Sequence, residues 1–339
     1  MISQTIKDFL AAGRVANLPS VVSNVLLGAG FGIFTGSSFA YEPVFFLPCL
    51  VGCLLYLGGC FLNDWKDQAW DAKNRPERAL PSGRISSRTM LIVASASIVL
   101  GLSITAFLNT GALVAAVILV AFILLYTYLH KRTAWGVVPM GMCRGMLYFL
   151  GFWSQKWRTH FGDLDELFLS DSPSQLELSR QGQLIWELFD YLQILGIPFL
   201  GIIAYVAGLS VFARMESRPV VPKWSRVLGI GLMAGVVITH ALFWARLYPV
   251  WTGLAVLPFF VSFLGAVYAT FQSVPRGVSR LLATICLVDF IAAVPLSVIL
   301  FARSSEMFKF GGQEALLFPL VSISAFLLAL LLQRVAPAT

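Results

Sequence analysis

The chain has 339 residues, of which 58% are apolar and only 12% are charged, whereas soluble domains are about 25% charged. Its mean hydropathy of +0.81 excludes a soluble globular protein and predicts an all-α, polytopic membrane protein. The net charge of +7 could by itself suit nucleic acid, but no such partner is expected, because the basic residues sort by membrane side.

The chain begins with an amphipathic and polar stretch, MISQTIKDFLAAGRVANLPS. It lacks the pattern of a signal peptide and predicts an interfacial helix that leads into the first span. The apolar runs that follow are near the ~20 residues needed to cross a bilayer. We predict a bundle of nine to ten transmembrane helices at about 17–36, 44–62, 89–108, 111–129, 136–153, 186–212, 225–246, 251–271, 279–301 and 315–333.

The basic residues between these spans indicate the orientation. Most of them fall on one side of the membrane, and by the positive-inside rule that side is cytoplasmic. The set comprises Lys7, Arg14, Lys66, Lys73, Arg75, Arg78, Arg84, Arg88, Lys131, Arg132, Arg214, Arg218, Lys223, Arg226, Arg276, Arg280 and Arg334. We therefore predict a multi-pass integral protein of a bacterial inner membrane, with a cytoplasmic N-terminus.

The longest polar interruption runs from about 153 to 185 and contains several acidic residues. We predict a solvated loop on the non-cytoplasmic side. With no internal repeat and no soluble segment of domain size, residues 1–339 are predicted to form a single integral-membrane domain.

The end of the second span is unusually rich in charge, reading NDWKDQAWD over residues 63–71. If the helix continues past Leu62, Asp64, Asp67 and Asp71 share one face at i, i+3 and i+7, with Asn63 on a neighbouring strip. Carboxylates on one face repel each other unless a cation neutralises them. Oxygen ligands without His or Cys favour Mg²⁺, which usually also binds substrate phosphate.

The stretch RPERALPSGR follows at once. The guanidinium groups of Arg75, Arg78 and Arg84 suit a phosphate ligand, because arginine grips phosphate bidentately. Pro76, Pro81 and Gly83 end the helix and turn the chain back. A solvated loop that obeys the positive-inside rule would explain the arginines but not three aspartates in helical register.

NDWKDQAWD resembles the NDxxDxxxD signature of the UbiA superfamily of intramembrane prenyltransferases, and RALPSGRIS resembles the tail that follows it. The resemblance implies a helical bundle around a central cavity that is capped on the cytoplasmic side and open laterally to lipid. In that cavity Mg²⁺ and basic residues would hold a prenyl diphosphate. Asp64, Asp67 and Asp71 would be the catalytic and metal-binding residues, with Asn63, Arg75 and Arg78 at the substrate.

Two further stretches are similar to parts of the same family. GRVANLPSVV implies that Arg14 and Asn17 approach the diphosphate, although a snorkelling Arg and a helix-entry Asn would look alike. YTYLHKR implies that Lys131 contacts diphosphate and that Tyr126 lines the cavity. Lys131 could equally be a topological anchor.

Arg144 is the one basic residue placed well inside a span, where an unpaired charge costs several kcal/mol. We predict that it binds the diphosphate, with a structural ion pair to Asp289 as the alternative. Nearby Gly141, Gly145 and Gly151 would allow close helix packing.

The loop after the sixth span departs from the family pattern, which has a second aspartate-rich motif there. It reads FARMESRPVVPKW, so Glu216 is its only acid and would be the second metal ligand, with Arg214 at the substrate. Together with CRGMLYFLG this region resembles the divergent EboC-like branch of the superfamily.

The resulting hypothesis is a Mg²⁺-dependent enzyme that transfers a prenyl group from a prenyl diphosphate to an aromatic or other electron-rich small-molecule acceptor within the membrane. The alternative is a binder or transporter of a lipid diphosphate that lost catalysis with the second motif. A solute transporter with an Asp289–Arg144 relay is a third possibility, in which the acidic motif would be idle.

Overall fold

The computed structural model describes residues 4–35, 43–160, 194–213, 223–303 and 315–334. Within these ranges the chain forms eleven helices and no strand. They are α1 (Gln4–Ala12), α2 (Leu18–Phe34), α3 (Leu47–Asn74), α4 (Ser87–Leu108), α5 (Thr110–Leu129), α6 (Val137–His160), α7 (Ile194–Ala213), α8 (Lys223–Trp244), α9 (Pro249–Gln272), α10 (Val274–Arg303) and α11 (Leu317–Leu332).

The ten helices from α2 to α11 coincide in order with the ten predicted spans. Across the described residues, seven helices are long and apolar enough to cross a membrane, namely α2, α3, α4, α5, α7, α9 and α10. The prediction of an all-helical membrane bundle is confirmed. Arg214 and Glu216, the predicted residues of the second motif, lie outside the described residues, as does the predicted polar loop from 161 onward.

Local sequence explains several helix ends. Ser86 caps α4 by accepting a hydrogen bond from the backbone N–H of Thr89, and Asn109 caps α5 in the same way through Ala112. α3 continues to Asn74, twelve residues beyond the predicted span, and ends just before Pro76. The acidic motif is therefore carried on a rigid helical extension of the second span.

α2 is the central helix of the bundle and packs against α3, α6, α10 and α11. Its closest neighbour is α6, and the close approach depends on two glycines. A methyl group on Gly28 would overlap the backbone carbonyl of Tyr148, and one on Gly151 would overlap that of Val25. Small residues on both helices thus bring the two backbones together, which is the common packing mode of membrane helices.

The outer helices α4, α5 and α9 expose apolar side chains instead of polar ones. Phe107 is 92% exposed and Val261 is 75% exposed. Such a surface would be unstable in water but suits contact with lipid. The charged residues of the acidic motif and of the stretch that follows it lie at one end of the bundle, where α3 ends and α4 begins. We call this the motif end.

α1 lies against the motif end. Phe9 packs edge-to-face on Phe61 of α3, with the ring centroids 6.1 Å apart. Asp8 accepts a hydrogen bond from Arg84 Nε at 2.8 Å, and this hydrogen bond lowers the pKa of the Asp8 carboxyl. After α1 the chain turns at Arg14, whose φ of 46° is the left-handed conformation that a non-glycine residue adopts only when its surroundings hold it there.

Candidate active site

A cavity of about 370 Å³ opens between the turn before α2, which carries Arg14 and Asn17, and the helices α3, α5, α6, α7 and α10. At the motif end its lining is polar and charged, with Asn63, Asp67, Asp71, Arg78 and Lys131 among the lining residues. Its other end is apolar and is lined by Leu119, Ile123, Leu147, Val206, Leu209 and Ile285. One continuous space therefore joins a charged mouth to an apolar interior.

The predicted residues that the structure describes gather around this space. Arg14, Asn17, Asn63, Asp67, Asp71, Arg75, Arg78, Tyr126, Lys131 and Arg144 all line the cavity. They come from chain positions as far apart as 14 and 144, and five segments of the bundle deliver them to one place.

The prediction that Asp64, Asp67 and Asp71 face one site together is wrong in one respect. Asp67 and Asp71 line the main cavity, whereas Asp64 lines a second cavity beside it. Within the described ranges no three His, Cys, Asp or Glu residues are placed to share a metal ion. Helical periodicity does not explain the separation, because at about 100° per residue Asp64, Asp67 and Asp71 lie within about 60° of one another. Asp64 differs in its partners, since Arg14 and Arg78 contact it from outside α3.

Each aspartate of the motif is paired with cations. Arg14 Nη2 lies 3.0 Å from Asp64 Oδ1, and Arg78 Nη1 lies 3.0 Å from Asp71 Oδ2 and 3.6 Å from Asp64 Oδ1. Lys131 Nζ lies 3.0 Å from Asp67 Oδ2 and also rests over the ring of Trp70. The acidic motif is thus neutralised by the same cations that the sequence predicts for a diphosphate.

His130 is a site residue that sequence reasoning missed. Its Nε2 lies 3.0 Å from Asp67 Oδ2, and its Nδ1 lies 3.2 Å from the carbonyl oxygen of Tyr126. Both neighbours are hydrogen-bond acceptors, so the His130 ring connects the acidic motif on α3 to the last turn of α5. The available signal was its position, four residues after Tyr126 and next to Lys131.

Asn63 supplies the test of whether the site suits a metal. Its Nδ2 lies 3.4 Å from Asp67 Oδ2, and its Oδ1 is buried with no hydrogen-bond partner among the described residues. A buried carbonyl oxygen without a donor is costly unless something else binds it. An amide oxygen beside two carboxylates is a donor set that Mg²⁺ accepts, because Mg²⁺ usually takes one or two carboxylates and completes its shell with water and phosphate. The residues present fit the ion.

Arg144 lies deeper than the motif. Its guanidinium stands 5.2 Å from the ring of Tyr56, which precedes Asn63 by seven residues, or about 10 Å along the axis of α3. Nη1 donates to Ser20 Oγ at 2.9 Å and to Asn24 Oδ1 at 3.4 Å. Arg144 therefore belongs to a second polar layer, below the layer of the acidic motif.

Asp289 is the anion that accompanies Arg144, but the two are linked through a third residue. Asn24 Nδ2 lies 2.9 and 2.8 Å from the two carboxylate oxygens of Asp289, and Tyr148 donates its hydroxyl to Oδ1 at 2.6 Å. The predicted direct ion pair is replaced by a bridge through the Asn24 amide. An amide does not pass protons readily, which disfavours the relay of the transporter hypothesis.

The second cavity, which we call the vestibule, has a volume of about 770 Å³. It lies between α1, the last turns of α3 and the 75–86 connection, and is lined by Asp8, Asp64, Glu77, Arg84 and Met90 among others. Arg14, Trp70, Arg75 and Arg78 line both cavities. Side chains of these four residues therefore form the partition between the vestibule and the main cavity.

Comparison with known proteins supports the resemblance that the acidic motif indicates. Residues 21–169, which carry most of α2, all of α3 to α6 and the acidic motif, match the UbiA prenyltransferase family. The predicted resemblance to the UbiA superfamily is confirmed for this part of the chain. The chain is 33% identical over 134 residues to digeranylgeranylglyceryl phosphate synthase of Sulfolobus acidocaldarius, covering 40% of this chain and 46% of that protein.

Other members of the superfamily match over different lengths. Protoheme IX farnesyltransferase of Alkalihalophilus pseudofirmus is 27% identical over 271 residues, covering 71% of this chain and 84% of the relative. A solved structure of digeranylgeranylglyceryl phosphate synthase superposes with a TM-score of 0.55 and 20% identity over 87% of this chain and 99% of the other, which shows a shared fold. The chain spans about half the length of the first archaeal relatives. The closer EboC-like assignment stays a prediction.

Proposed function

We propose that this protein transfers a prenyl group from a prenyl diphosphate to an aromatic or other electron-rich acceptor within the membrane, with Mg²⁺ as cofactor. The observation that carries the proposal is the single cavity whose charged mouth contains Asn63, Asp67, Asp71 and Lys131 and whose interior is apolar. A prenyl diphosphate has the same division, with a charged head at one end and a hydrocarbon tail at the other.

The cations of the mouth would bind the diphosphate by exchanging partners. Arg78 and Lys131 are held by Asp71 and Asp67 in the structure, and phosphate oxygens offer them equivalent charged acceptors. Arg75 lines the same wall. These side chains are already oriented towards the region where charge develops on the leaving group, so little reorganisation is needed during the reaction.

Asn63, Asp67 and Asp71 would hold the metal, because they are the oxygen donors of the motif that face the main cavity. When bound, Mg²⁺ neutralises charge on the leaving diphosphate and acts as a Lewis acid. We expect Asp64 to contribute from outside the cavity, through Arg14 and Arg78. Glu216 remains the predicted second metal ligand and Arg214 a predicted substrate contact.

In the proposed reaction the bond between the first prenyl carbon and the diphosphate oxygen breaks, and its electron pair leaves with the diphosphate. An electron pair of the acceptor forms the new bond to that carbon, and the acceptor then loses a proton. Asp67 and Asp71 are the carboxylates that face this space and are the candidates to accept it. The apolar interior excludes water from the allylic cation.

We propose no narrower class of acceptor, because the names of the relatives indicate different products. One is a synthase of digeranylgeranylglyceryl phosphate, and another is a farnesyltransferase of protoheme IX. The deeper polar layer of Asn17, Tyr56 and Arg144 is the part of the cavity best suited to a polar group of the acceptor. We also propose a cytoplasmic N-terminus, from the distribution of basic residues, and a bacterial inner membrane, from the resemblance to the EboC-like branch.

The test is Mg²⁺-dependent release of pyrophosphate by the purified protein in lipid, with prenyl diphosphates of several lengths and mixed acceptors. Lys131→Gln should abolish most of the release, because it removes a cation from the cavity mouth. Lys73→Gln is the matched control, since Lys73 is exposed on the same end of α3 and lines neither cavity. Equal activity of the two variants would contradict the proposal.

A second candidate function is a binder or transporter of a lipid diphosphate that does not turn it over. It is favoured by the neutralisation of all three aspartates by protein cations. Under this alternative, an inert prenyl diphosphate analogue with Mg²⁺ raises the thermal unfolding temperature, while no acceptor supports pyrophosphate release. Rapid release with any acceptor excludes it.

A further inference from the structure

The vestibule has no role in the transfer reaction as proposed, yet at about 770 Å³ it is larger than the main cavity. Four residues line both the vestibule and the main cavity, so the two spaces are adjacent. Three of the four shared residues are arginines, Arg14, Arg75 and Arg78. An anion in the mouth and an anion in the vestibule would thus contact the same guanidinium groups from opposite sides.

Three ion pairs hold the walls of the vestibule together. Asp8 and Arg84 join α1 to the 75–86 connection at 2.8 Å. Arg14 and Asp64 join the turn after α1 to α3 at 3.0 Å, and Arg78 with Asp71 joins the connection to α3, also at 3.0 Å. The Arg14–Asp64 and Arg78–Asp71 pairs include residues of the main cavity, so a diphosphate bound there can compete with them. The Asp8–Arg84 pair lines the vestibule and not the main cavity, so that diphosphate does not compete with it.

Arg84 is held in a way that leaves donors for a ligand. Its Nε donates to Asp8 and its Nη2 to the carbonyl oxygen of Glu77, both at 2.8 Å. Within the described part of the chain it makes no hydrogen bond through Nη1. A guanidinium that is fixed at two nitrogens and open at the third is a pre-organised anion contact, because its orientation is already determined.

We propose that the vestibule is a binding site for inorganic pyrophosphate, and that the leaving group passes through it after the transfer step. The inference rests on the proposed function, which produces pyrophosphate in the mouth of the main cavity. Arg14, Arg75 and Arg78 transfer the anion across the partition, and Arg84 binds it on the far side. No bond is made or broken in this passage. The prenyl chain and the acceptor remain in the apolar cavity.

A phosphate group bound in the vestibule could come from two sources, the released pyrophosphate or the phosphate head of a lipid acceptor. The released anion fits better, because four arginines line the vestibule and the more extensive apolar lining, which would hold a lipid chain, belongs to the main cavity. The experiment therefore includes a phosphate monoester as a separate arm.

The test measures binding of radiolabelled pyrophosphate to the full-length protein while a non-hydrolysable prenyl thiodiphosphate fills the main cavity. The wild type should still bind pyrophosphate, and Arg84→Gln should weaken this binding at least about tenfold, as loss of a charged hydrogen bond does. Asp8→Asn should weaken pyrophosphate binding less, since the Arg84 guanidinium is still present but is no longer oriented by a charged partner. Arg88→Gln, an exposed residue of α4 that lines neither cavity, should have no effect.

Absence of pyrophosphate binding to the analogue-loaded protein would overturn the inference, as would equal binding by wild type and Arg84→Gln. Glycerol phosphate binding as tightly as pyrophosphate in an Arg84-dependent manner would assign the vestibule to an acceptor head and would also overturn it. The pyrophosphate titration is repeated without the analogue, so that binding of the analogue and binding of pyrophosphate are judged separately. Failure of the analogue to bind would refute the proposed function, whereas loss of Arg84-dependent pyrophosphate binding would refute the vestibule site alone.

Discussion

Asp64 and Asp67 are three residues apart on one helix and are both buried, yet they line different cavities. Asp64 is paired with Arg14 on the side of the vestibule, and Asp67 is paired with His130 and Lys131 on the side of the main cavity. The acidic motif therefore stands at the boundary between two spaces. Its members are expected to differ in function although they belong to one short sequence pattern.

The two aspartates should respond differently to substitution. Asp67→Asn is expected to lower the rate of pyrophosphate release about 100-fold, because it removes a charge that faces the reacting groups. Asp64→Asn should lower it only about tenfold, since Asp64 acts by orienting Arg14 and Arg78. The measurement is kcat for release at saturating Mg²⁺. Equal losses in the two variants would show that Asp64 enters the main cavity after all.

His130 should contribute to catalysis through its contact with Asp67. His130→Ala is expected to raise KM for prenyl diphosphate and lower kcat together about tenfold, because Asp67 loses a hydrogen-bond partner at 3.0 Å. His130→Gln, which keeps a donor of similar reach, should recover part of the loss. Arg132→Gln is the matched control, since Arg132 is exposed and lines neither cavity. Wild-type kinetics in His130→Ala would remove the residue from the site.

The Arg144 and Asp289 layer should behave as a coupled charge network. Asp289→Asn leaves Arg144 without its anion inside the membrane and is expected to destabilise the fold by about 3 kcal/mol. The double variant Arg144→Met/Asp289→Asn should be less destabilised than the two single variants together. Thermal unfolding in detergent measures both effects. Ser297→Ala serves as the control on α10, because among the described residues its hydroxyl donates to the Val294 carbonyl of the same helix. Strict additivity of the Arg144 and Asp289 changes would contradict the network.

The docking of α1 should depend on pH. The hydrogen bond from Arg84 lowers the pKa of Asp8 below its ordinary value of 3.8. A lowered carboxyl pKa stabilises the folded state above the ordinary value, and the contribution disappears as pH falls through the lowered pKa. The unfolding temperature of wild type should therefore exceed that of Arg84→Gln at neutral pH, and the two should converge in acid. A difference that stays constant across that range would exclude the ion pair as its cause.

The close packing of α2 against α6 should be disrupted by a methyl group at either of its contact glycines. Gly28→Ala and Gly151→Ala each place a methyl group on a facing backbone carbonyl, so each is expected to destabilise the bundle by about 3 kcal/mol or more. Gly253→Ala on α9 should be neutral or slightly stabilising, because nothing lies within 4 Å of the added carbon. Folded yield and unfolding temperature report the difference. Similar values for all three variants would contradict the close approach.

Much of the cavity lining could be predicted from the sequence, because it depends on local patterns. The order of apolar runs predicted the ten long helices, and the motif predicted that α3 continues past Leu62. His130 was missed because a single histidine beside two basic residues has no distinctive spacing. The direct Arg144–Asp289 pair was predicted from charge alone, and Asn24, which bridges them, is an ordinary residue of an apolar span.

By itself the amino-acid sequence determined that the chain is a membrane bundle and that one helix end carries oxygen ligands and cations, since hydropathy and helical periodicity are properties of neighbouring residues. Only the tertiary structure decided which of those residues share a space. The division of Asp64 from Asp67 depends on where Arg14 and Arg78 enter from α1 and the 75–86 connection. Such contacts join distant parts of the chain, and their partners are selected by packing and by the need to neutralise buried charge.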